Sequence, residues 1–135
     1  RFLYALAFDL DGIGELGNLE DLFYQFKTGH QARPTFIVQS GNDGLHLYYQ
    51  LEKPIPLFRN IKEQLARLKR GLTRRIWNQF VTTLSSKVQY QSALQGFRMV
   101  GTRTKQGDIT RAYRVGEKVT VNRVILQKRF NLTRG

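Results

Sequence analysis

The 135-residue sequence contains no cysteine and no run of about 18 apolar residues. The first absence excludes a disulfide framework, a zinc knuckle and a thiol nucleophile, and it fits a reducing compartment. The second excludes a transmembrane span, so we expect a cytoplasmic protein with no membrane partner. The sequence also has no Gly-Lys-Ser/Thr loop, which excludes a P-loop NTPase.

Acidic residues are scarce: 10 Asp and Glu stand against 22 Lys and Arg, and the formal net charge is +12. Hydrophobic residues make up 41% and aromatic residues 12%, an ordinary mixture for a folded chain. We therefore predict one domain over residues 1–135, either complete or a piece of a longer chain. The positive charge favours nucleic acid or nucleotides as partners. The alternatives are general solubility, or a fragment whose acidic part lies elsewhere.

The hydrophobic periodicity predicts strands and helices in alternation. The predicted elements are a strand over 2–10, a short helix capped by Asn18 and ending near Gly29, strands over 34–39 and 45–51 joined by a turn, a long helix over about 57–83, and a hairpin over 97–121 that turns at 105–108. The "KPIP" segment, residues 53–56, is expected to end the third strand, because proline cannot continue a central ladder. This order predicts an α+β fold with a mainly antiparallel sheet, helices on one face and an open opposite face.

An acidic pair, Asp9 and Asp11, lies at the end of the first predicted strand. Alternation places both carboxylates on the face that carries Ala5 and Ala7, and it places His46 on the polar face of the third strand. We expect the open face to hold all three. Two neighbouring carboxylates repel each other and need a cation, for which Mg²⁺ or Mn²⁺ is the natural choice. A turn in which Asp11 caps the following backbone is the simpler alternative, and a glycosidase pair needs a wider separation.

The long predicted helix is amphipathic, and Gly71 is a candidate position for a kink. Its predicted apolar stripe contains Phe58, Ile61, Leu65, Leu68, Leu72, Ile76 and Phe80, and its cationic face contains Arg59, Lys62, Arg67, Lys69, Arg70, Arg74 and Arg75. That face is either a surface that tracks phosphates or an ordinary solvated face. Five more cations decorate the final predicted hairpin, namely Arg98, Arg103, Lys105, Arg111 and Arg114.

Three segments together resemble the archaeo-eukaryotic primase (AEP) superfamily, particularly the primase-polymerases of plasmids, phages and other mobile elements. The matching residues are Asp9 and Asp11 in "LAFDLDG", Ser40 and His46 in "SGNDGLHLYY", and Arg98, Gly101, Thr102 and Lys105 in "FRMVGTRTK". Val100 replaces the family's usual proline. The family's third metal-binding acid is expected before the third segment, yet residues 82–107 contain no Asp or Glu. The third ligand is therefore open: Asp108, Asp43 or Glu63 substitutes for it, an acid-bearing segment is absent from this sequence, or the site has lost a ligand.

The resemblance implies an RRM-like AEP core that acts as a DNA primase or primase-polymerase. It implies template-directed nucleotidyl transfer from NTPs or dNTPs by two divalent metals, Mg²⁺ or Mn²⁺, at Asp9 and Asp11, with His46 as a third catalytic residue. The implied nucleotide contacts are Ser40, His46, Arg98, Thr102 and Lys105, and the expected nucleic-acid contacts are Arg67, Arg70, Arg74, Arg75, Arg103, Arg111 and Arg114. The expected partners are a single-stranded DNA template, its primer, nucleotides and a helicase domain or protein.

Two other classes of protein also fit the sequence. One is an RRM-like module that binds single-stranded nucleic acid and lacks catalysis, although "QGFRMVG" only partly matches the RRM pattern. The other is a structural basic protein of a nucleoprotein assembly. This second class explains the charge but not the paired aspartates.

Overall fold

The computed structural model describes residues 1–13, 16–40, 44–82, 111–127 and 132. The elements in these residues are β1 (Phe2–Leu10), α1 (Leu16–Thr28), β2 (Phe36–Ser40), β3 (Gly44–Pro56), α2 (Arg59–Ile76), β4 (Arg111–Arg114) and α3 (Val121–Ile125). The strands form a sheet in the order β1-β3-β2-β4, and each neighbouring pair is antiparallel. The predicted α+β class and antiparallel sheet are confirmed.

One face of the sheet is apolar because alternate residues of each strand point to the same side. Leu6, Phe8 and Leu10 of β1 pair with Tyr49, Leu47 and Leu45 of β3, and all six side chains are buried. The Phe8 and Tyr49 rings meet edge to face, with 5.6 Å between their centroids. This is the alternation that the sequence predicts for both strands.

The helices pack on this apolar face. α1 buries Leu22 and Phe26 there, and α3 buries Val124 and Ile125. The residues that α2 contributes to the same core are Ile61, Leu65, Leu72 and Ile76. Within the described ranges, the core takes no residue from the opposite face of β1, β2 and β3, so that face is free of these helices. No helix in the described part of the chain is long and apolar enough to cross a membrane.

β3 does not end at "KPIP", and that prediction is wrong. The strand continues to Pro56, and its last residues pair with the start of β1. The register shifts between Leu3, which pairs with Ile55, and Ala5, which pairs with Gln50. Pro54 lies inside this irregularity, where a missing backbone N–H does not break the ladder.

The boundaries of the first helix also differ from the prediction. α1 begins at Leu16, so Asn18 lies inside the helix and is not its cap. The helix ends at Thr28, and Gly29 follows with a φ of +84°. That left-handed conformation ends the helix at the predicted position, since glycine adopts it without steric cost.

The second helix is shorter than predicted. α2 runs unbroken through Gly71 and ends at Ile76, so the last predicted turns are wrong. Asn78 turns the chain there, because its side-chain oxygen accepts from the Phe80 backbone N–H at 3.1 Å. Phe58 and Phe80 lie outside the helix and are 40% and 59% exposed, so neither belongs to the apolar stripe.

The final predicted hairpin falls only in part on described residues. β4, which pairs with β2, lies within the predicted second strand, whereas the predicted first strand and turn lie outside the described residues. The predicted second strand runs to Val121, but β4 ends at Arg114 and α3 begins at Val121. Thr120 starts this helix, because its side-chain oxygen accepts from the Arg123 backbone N–H at 3.2 Å.

Candidate active site

Asp9 and His46 meet on the face of the sheet opposite the described helices, which we call the helix-free face for that reason. They are register partners on β1 and β3, and 3.1 Å separates the Asp9 Oδ1 from the His46 Nε2. Their side chains are 22% and 15% exposed. This contact between an imidazole nitrogen and a carboxylate oxygen joins two side chains that project from paired strands. The predicted placement of these two residues on one face is observed.

Asp11 lies one residue beyond the end of β1 and is half-buried. The next residue, Gly12, has a φ of +82°. A residue with a side chain rarely adopts this conformation, so glycine is what allows the chain to turn directly after the second aspartate. The two acids therefore differ: one belongs to the strand and the other to the turn that follows it.

The segment after α2 holds the backbone of both aspartates. The Trp77 indole N–H donates to the Asp9 carbonyl at 2.9 Å, and the Thr82 hydroxyl donates to the Asp11 carbonyl. Trp77 and Thr82 are almost fully buried, at 2% and 1% exposure. Sequence reasoning missed both residues. One sequence feature could have indicated Trp77: it is the single tryptophan of the chain, and it follows directly after the apolar stripe of the long helix.

A polar network fixes this segment against α1 and α3. The Asn78 side-chain amide donates to the Gln25 Oε1 at 2.9 Å, and the Gln31 amide donates to the same oxygen at 3.3 Å. The Arg75 guanidinium donates to the Gln31 Oε1 at 3.1 Å and to the Val124 carbonyl at 3.0 Å. The guanidinium of Arg75, a predicted nucleic-acid contact, thus forms hydrogen bonds within the fold.

Lys69 is buried, contrary to its predicted place on a solvent-facing cationic surface. It is 2% exposed, and its Nζ lies 5.7 Å from the centroid of the Phe8 ring. Burial lowers the pKa of Lys69 to about 8, and the charge of Asp9 acts in the opposite direction. A buried positive charge therefore interacts with the carboxylate of the candidate site.

The other cations of α2 lie on the far side of the sheet from Asp9, because α2 packs on the apolar face. Arg67, Arg70 and Arg74 are exposed there. Arg114 of β4 is also exposed, and its guanidinium carbon lies 5.6 Å from the centroid of the Phe36 ring. The predicted cations therefore divide between the two sides of the sheet.

Several predicted site residues lie wholly or partly outside the described residues. These are Arg98, Thr102, Arg103, Lys105, Asp43 and Asp108. Ser40 ends β2 and pairs with Gly44, and Arg111 begins β4, but their side chains are not described.

The donor set at Asp9 suits a hard divalent cation that takes some of its ligands from substrate. Among the described residues, no three or more His, Cys, Asp or Glu side chains come together as a metal cluster. Glu63, one candidate for the third ligand, lies exposed on α2 on the other side of the sheet. Mg²⁺ is commonly held by one or two carboxylates together with water and substrate phosphates. The Asp9 carboxylate fits that kind of site, and the roles of Asp11 and of a third protein ligand stay predictions.

The antiparallel sheet, with helices on one face and an Asp-His pair on the other, defines an α+β core of the AEP and RRM-like type. No protein-family model matches the sequence, and no curated protein matches it. The fold is similar to a solved structure, the AEP domain of the cyanophage S-2L primase-polymerase, with a TM-score of 0.60 and 17% sequence identity. The similarity covers 93% of this chain and 60% of that chain. A likeness at this identity shows an AEP-like fold.

Proposed function

We propose that the protein is a DNA primase or primase-polymerase that transfers nucleotides from NTPs or dNTPs to a growing strand on a DNA template. The replication of a plasmid, phage or other mobile element is the proposed setting, in the cytoplasm of the host cell. The observation that carries the proposal is the Asp9–His46 contact on the helix-free face of an AEP-like sheet. The same kind of fold occurs in the AEP domain of a primase-polymerase.

In this proposal, Asp9 and Asp11 hold Mg²⁺ or Mn²⁺. When bound, these ions activate the 3′-hydroxyl and neutralise the charge that develops on the phosphates. His46 is the proposed contact for the triphosphate of the incoming nucleotide, and its 3.1 Å distance from the Asp9 carboxylate supports a nucleotide site next to the proposed metal site. Ser40, Arg98, Thr102 and Lys105 complete the nucleotide site.

The template and primer are bound mainly through their phosphates, as the net charge of +12 suggests. Arg114 lies on the sheet, whereas Arg67, Arg70 and Arg74 offer a second cationic surface on α2. Arg103 and Arg111 are the remaining proposed contacts, whereas the Arg75 guanidinium already donates to Gln31 and to the Val124 carbonyl within the fold. Because backbone contacts carry little sequence information, we expect modest template preference. A helicase domain or protein is a further proposed partner.

A second candidate function is an RRM-like module that binds single-stranded nucleic acid without catalysis. The observation that favours it is the lack of a three-residue metal cluster among the described residues. The two proposals share the fold and the cationic surface, and they differ in what the aspartates do.

Primer extension tests the enzyme against the binding module. We expect the double variant Asp9→Asn and Asp11→Asn to lose metal-dependent primer-extension and dinucleotide products, because neutral amides are weak ligands for Mg²⁺. The same variant should bind single-stranded DNA nearly as the unmodified protein does, since no cation is removed. The measurement is product formation from labelled nucleotides on an oligonucleotide template, with and without a chelator.

Asp21→Asn is the matched control. Asp21 is an exposed carboxylate on α1, on the helix side of the sheet, and its loss should leave product formation unchanged. Equal product from the double variant and the unmodified protein would overturn the enzyme proposal. The binding module would be excluded if the unmodified protein and Asp21→Asn form product that a chelator abolishes, and the double variant forms none.

A further inference from the structure

Two aromatic rings lie side by side on the helix-free face, next to the Asp9–His46 pair. Phe36 of β2 and Tyr48 of β3 are register partners, and their ring centroids are 6.0 Å apart with an interplanar angle of 61°. Tyr48 lies two residues after His46 on the same strand, so the two side chains share a face. The aromatic pair is therefore on the candidate active face.

A cation extends this aromatic pair at the edge of the sheet. Arg114 of β4 is the register partner of Phe36, and its guanidinium carbon lies 5.6 Å from the Phe36 ring centroid. The Arg114 side chain is 52% exposed and forms an exposed ion pair with Glu117 at 3.2 Å. Phe36, Tyr48 and Arg114, which we call the aromatic row, thus cross three adjacent strands.

The hydrophobic core does not account for the aromatic row. Phe36 and Tyr48 are half-buried, and neither belongs to the core between the sheet and the helices. β2 and β3 are the two central strands of the sheet. RRM sheets stack unpaired bases on aromatic side chains, and such stacking tolerates any base because every base has a π-face.

The aromatic row lies two residues along the strands from the Asp9–His46 pair. Ala7, the residue of β1 that pairs with Tyr48, is two positions before Asp9. Two residues of a β-strand span about 7 Å, so the aromatic row and the acidic site are close enough for one DNA strand to contact both. The net charge of +12 and the exposed Arg114 complement a polyanion.

We propose that Phe36 and Tyr48 form a stacking subsite for an unpaired base of single-stranded DNA, and that Arg114 contacts the adjoining phosphate. This inference rests on the proposed function in one respect, namely that the bound DNA strand is the template. The subsite places one template base on the aromatic pair while the neighbouring part of the strand lies at the Asp9–His46 pair.

Binding to single-stranded DNA in a chelating buffer tests the subsite without any catalysis. The probe is a 5′-labelled 12-nucleotide oligothymidylate, and the measurement is fluorescence anisotropy. We expect Tyr48→Leu and Phe36→Leu each to weaken binding about 5-fold or more, the range expected when one stacked base is lost. Tyr48→Phe keeps the ring and should bind within about twofold of the unmodified protein.

An oligonucleotide of the same length with abasic sites separates stacking from charge. The unmodified protein should bind it more weakly than the oligothymidylate, whereas Tyr48→Leu should bind both about equally. Arg114→Gln should reduce the salt dependence of binding, which reports phosphate contacts, and the leucine variants should not. Tyr24→Leu is the control, because Tyr24 is an exposed tyrosine on α1.

The proposal is overturned if both leucine variants bind the oligothymidylate as tightly as the unmodified protein does. It is also overturned if their loss of affinity is the same on the abasic strand, because the rings would then act through the fold. If a leucine variant fails to fold, the preference of the unmodified protein for the base-bearing strand decides the question. If dTTP alone displaces the labelled oligothymidylate, the two rings bind the incoming nucleotide. The assignment of the rings to the template is then overturned.

These outcomes are distinct from those of the primer-extension experiment. The Asp9→Asn and Asp11→Asn double variant should keep the preference for bases over abasic sites, because it leaves the aromatic row intact. If the unmodified protein prefers the base-bearing strand but has no catalytic activity, the stacking subsite is supported and the enzyme proposal is overturned.

Discussion

Lys69 is the residue whose environment departs furthest from its sequence pattern. The helical wheel of α2 places it among cations, but the side chain is buried above the Phe8 ring. Its pKa falls to about 8 because burial disfavours the charged form, while Asp9 favours that form. At neutral pH the folded protein therefore keeps a buried charge near the candidate site.

We predict that replacing Lys69 by methionine stabilises the protein at pH 7 and removes part of its pH dependence. Between the folded pKa of about 8 and the ordinary value of 10.5, the unfolded chain binds more protons than the folded one. The contribution of Lys69 to the free energy of unfolding therefore rises with pH across that window, by about 3 kcal/mol. Below pH 8 Lys69 is charged in both the folded and the unfolded state, so the folded protein bears the full cost of burying that charge.

Urea unfolding at pH 7 and pH 10 measures this effect. The stability advantage of Lys69→Met over the unmodified protein should be largest at pH 7 and should shrink at pH 10. Arg70→Met, which removes an exposed cation from the next position of α2, controls for the change in net charge. An advantage of Lys69→Met that is equal at both pH values would contradict the argument.

Single residues also show what the sequence could predict about the site. Asp9 and His46 were placed on one face because the period of two in a strand is a local rule. The burial of Lys69 was not predictable, since it depends on which part of the helix lies over Phe8. The sequence also leaves the third ligand of the proposed metal site open, because the residues from 82 to 107 supply no acid.

At the scale of elements, long-range contacts decided the boundaries that sequence patterns missed. α2 ends where Asn78 bonds to Gln25, a residue 53 positions earlier in the chain. β3 passes through Pro54 because an irregularity in its pairing with β1 tolerates the missing N–H. The existence and order of the first strands and helices followed from local periodicity, which is why those predictions were confirmed.

Trp77 joins two elements, since its indole N–H bonds to the last part of β1. We predict that Trp77→Phe lowers the free energy of unfolding by about 1–3 kcal/mol, because the Asp9 carbonyl loses its buried donor. Amide hydrogen exchange near the end of β1 should also become faster. Phe80→Leu, an exposed site in the following turn, is the control for a change in this segment. Unchanged stability and exchange in Trp77→Phe would show that the indole contact does not hold β1.

At the scale of the whole molecule, the sheet separates two kinds of surface. The helix side carries the exposed arginines of α2, and the opposite side carries Asp9, His46 and the aromatic row. The sequence predicts the placement of Asp9 and His46 opposite the helices, because it follows from strand alternation, whereas Asp11 lies in the turn after β1. It could not predict how the cations divide between the two sides, since that depends on where α2 packs.

In the proposed function, Asp9 binds a divalent metal ion together with the phosphates of a nucleotide. A crystal structure with Mn²⁺ and a non-hydrolysable dNTP analogue tests it most directly, because Mn²⁺ is located by its anomalous scattering. We predict a metal peak at the Asp9 carboxylate, with the triphosphate and His46 next to it, and the same map would show any further protein ligand. A nucleotide bound with its triphosphate away from Asp9, and no metal at that carboxylate, would contradict the account.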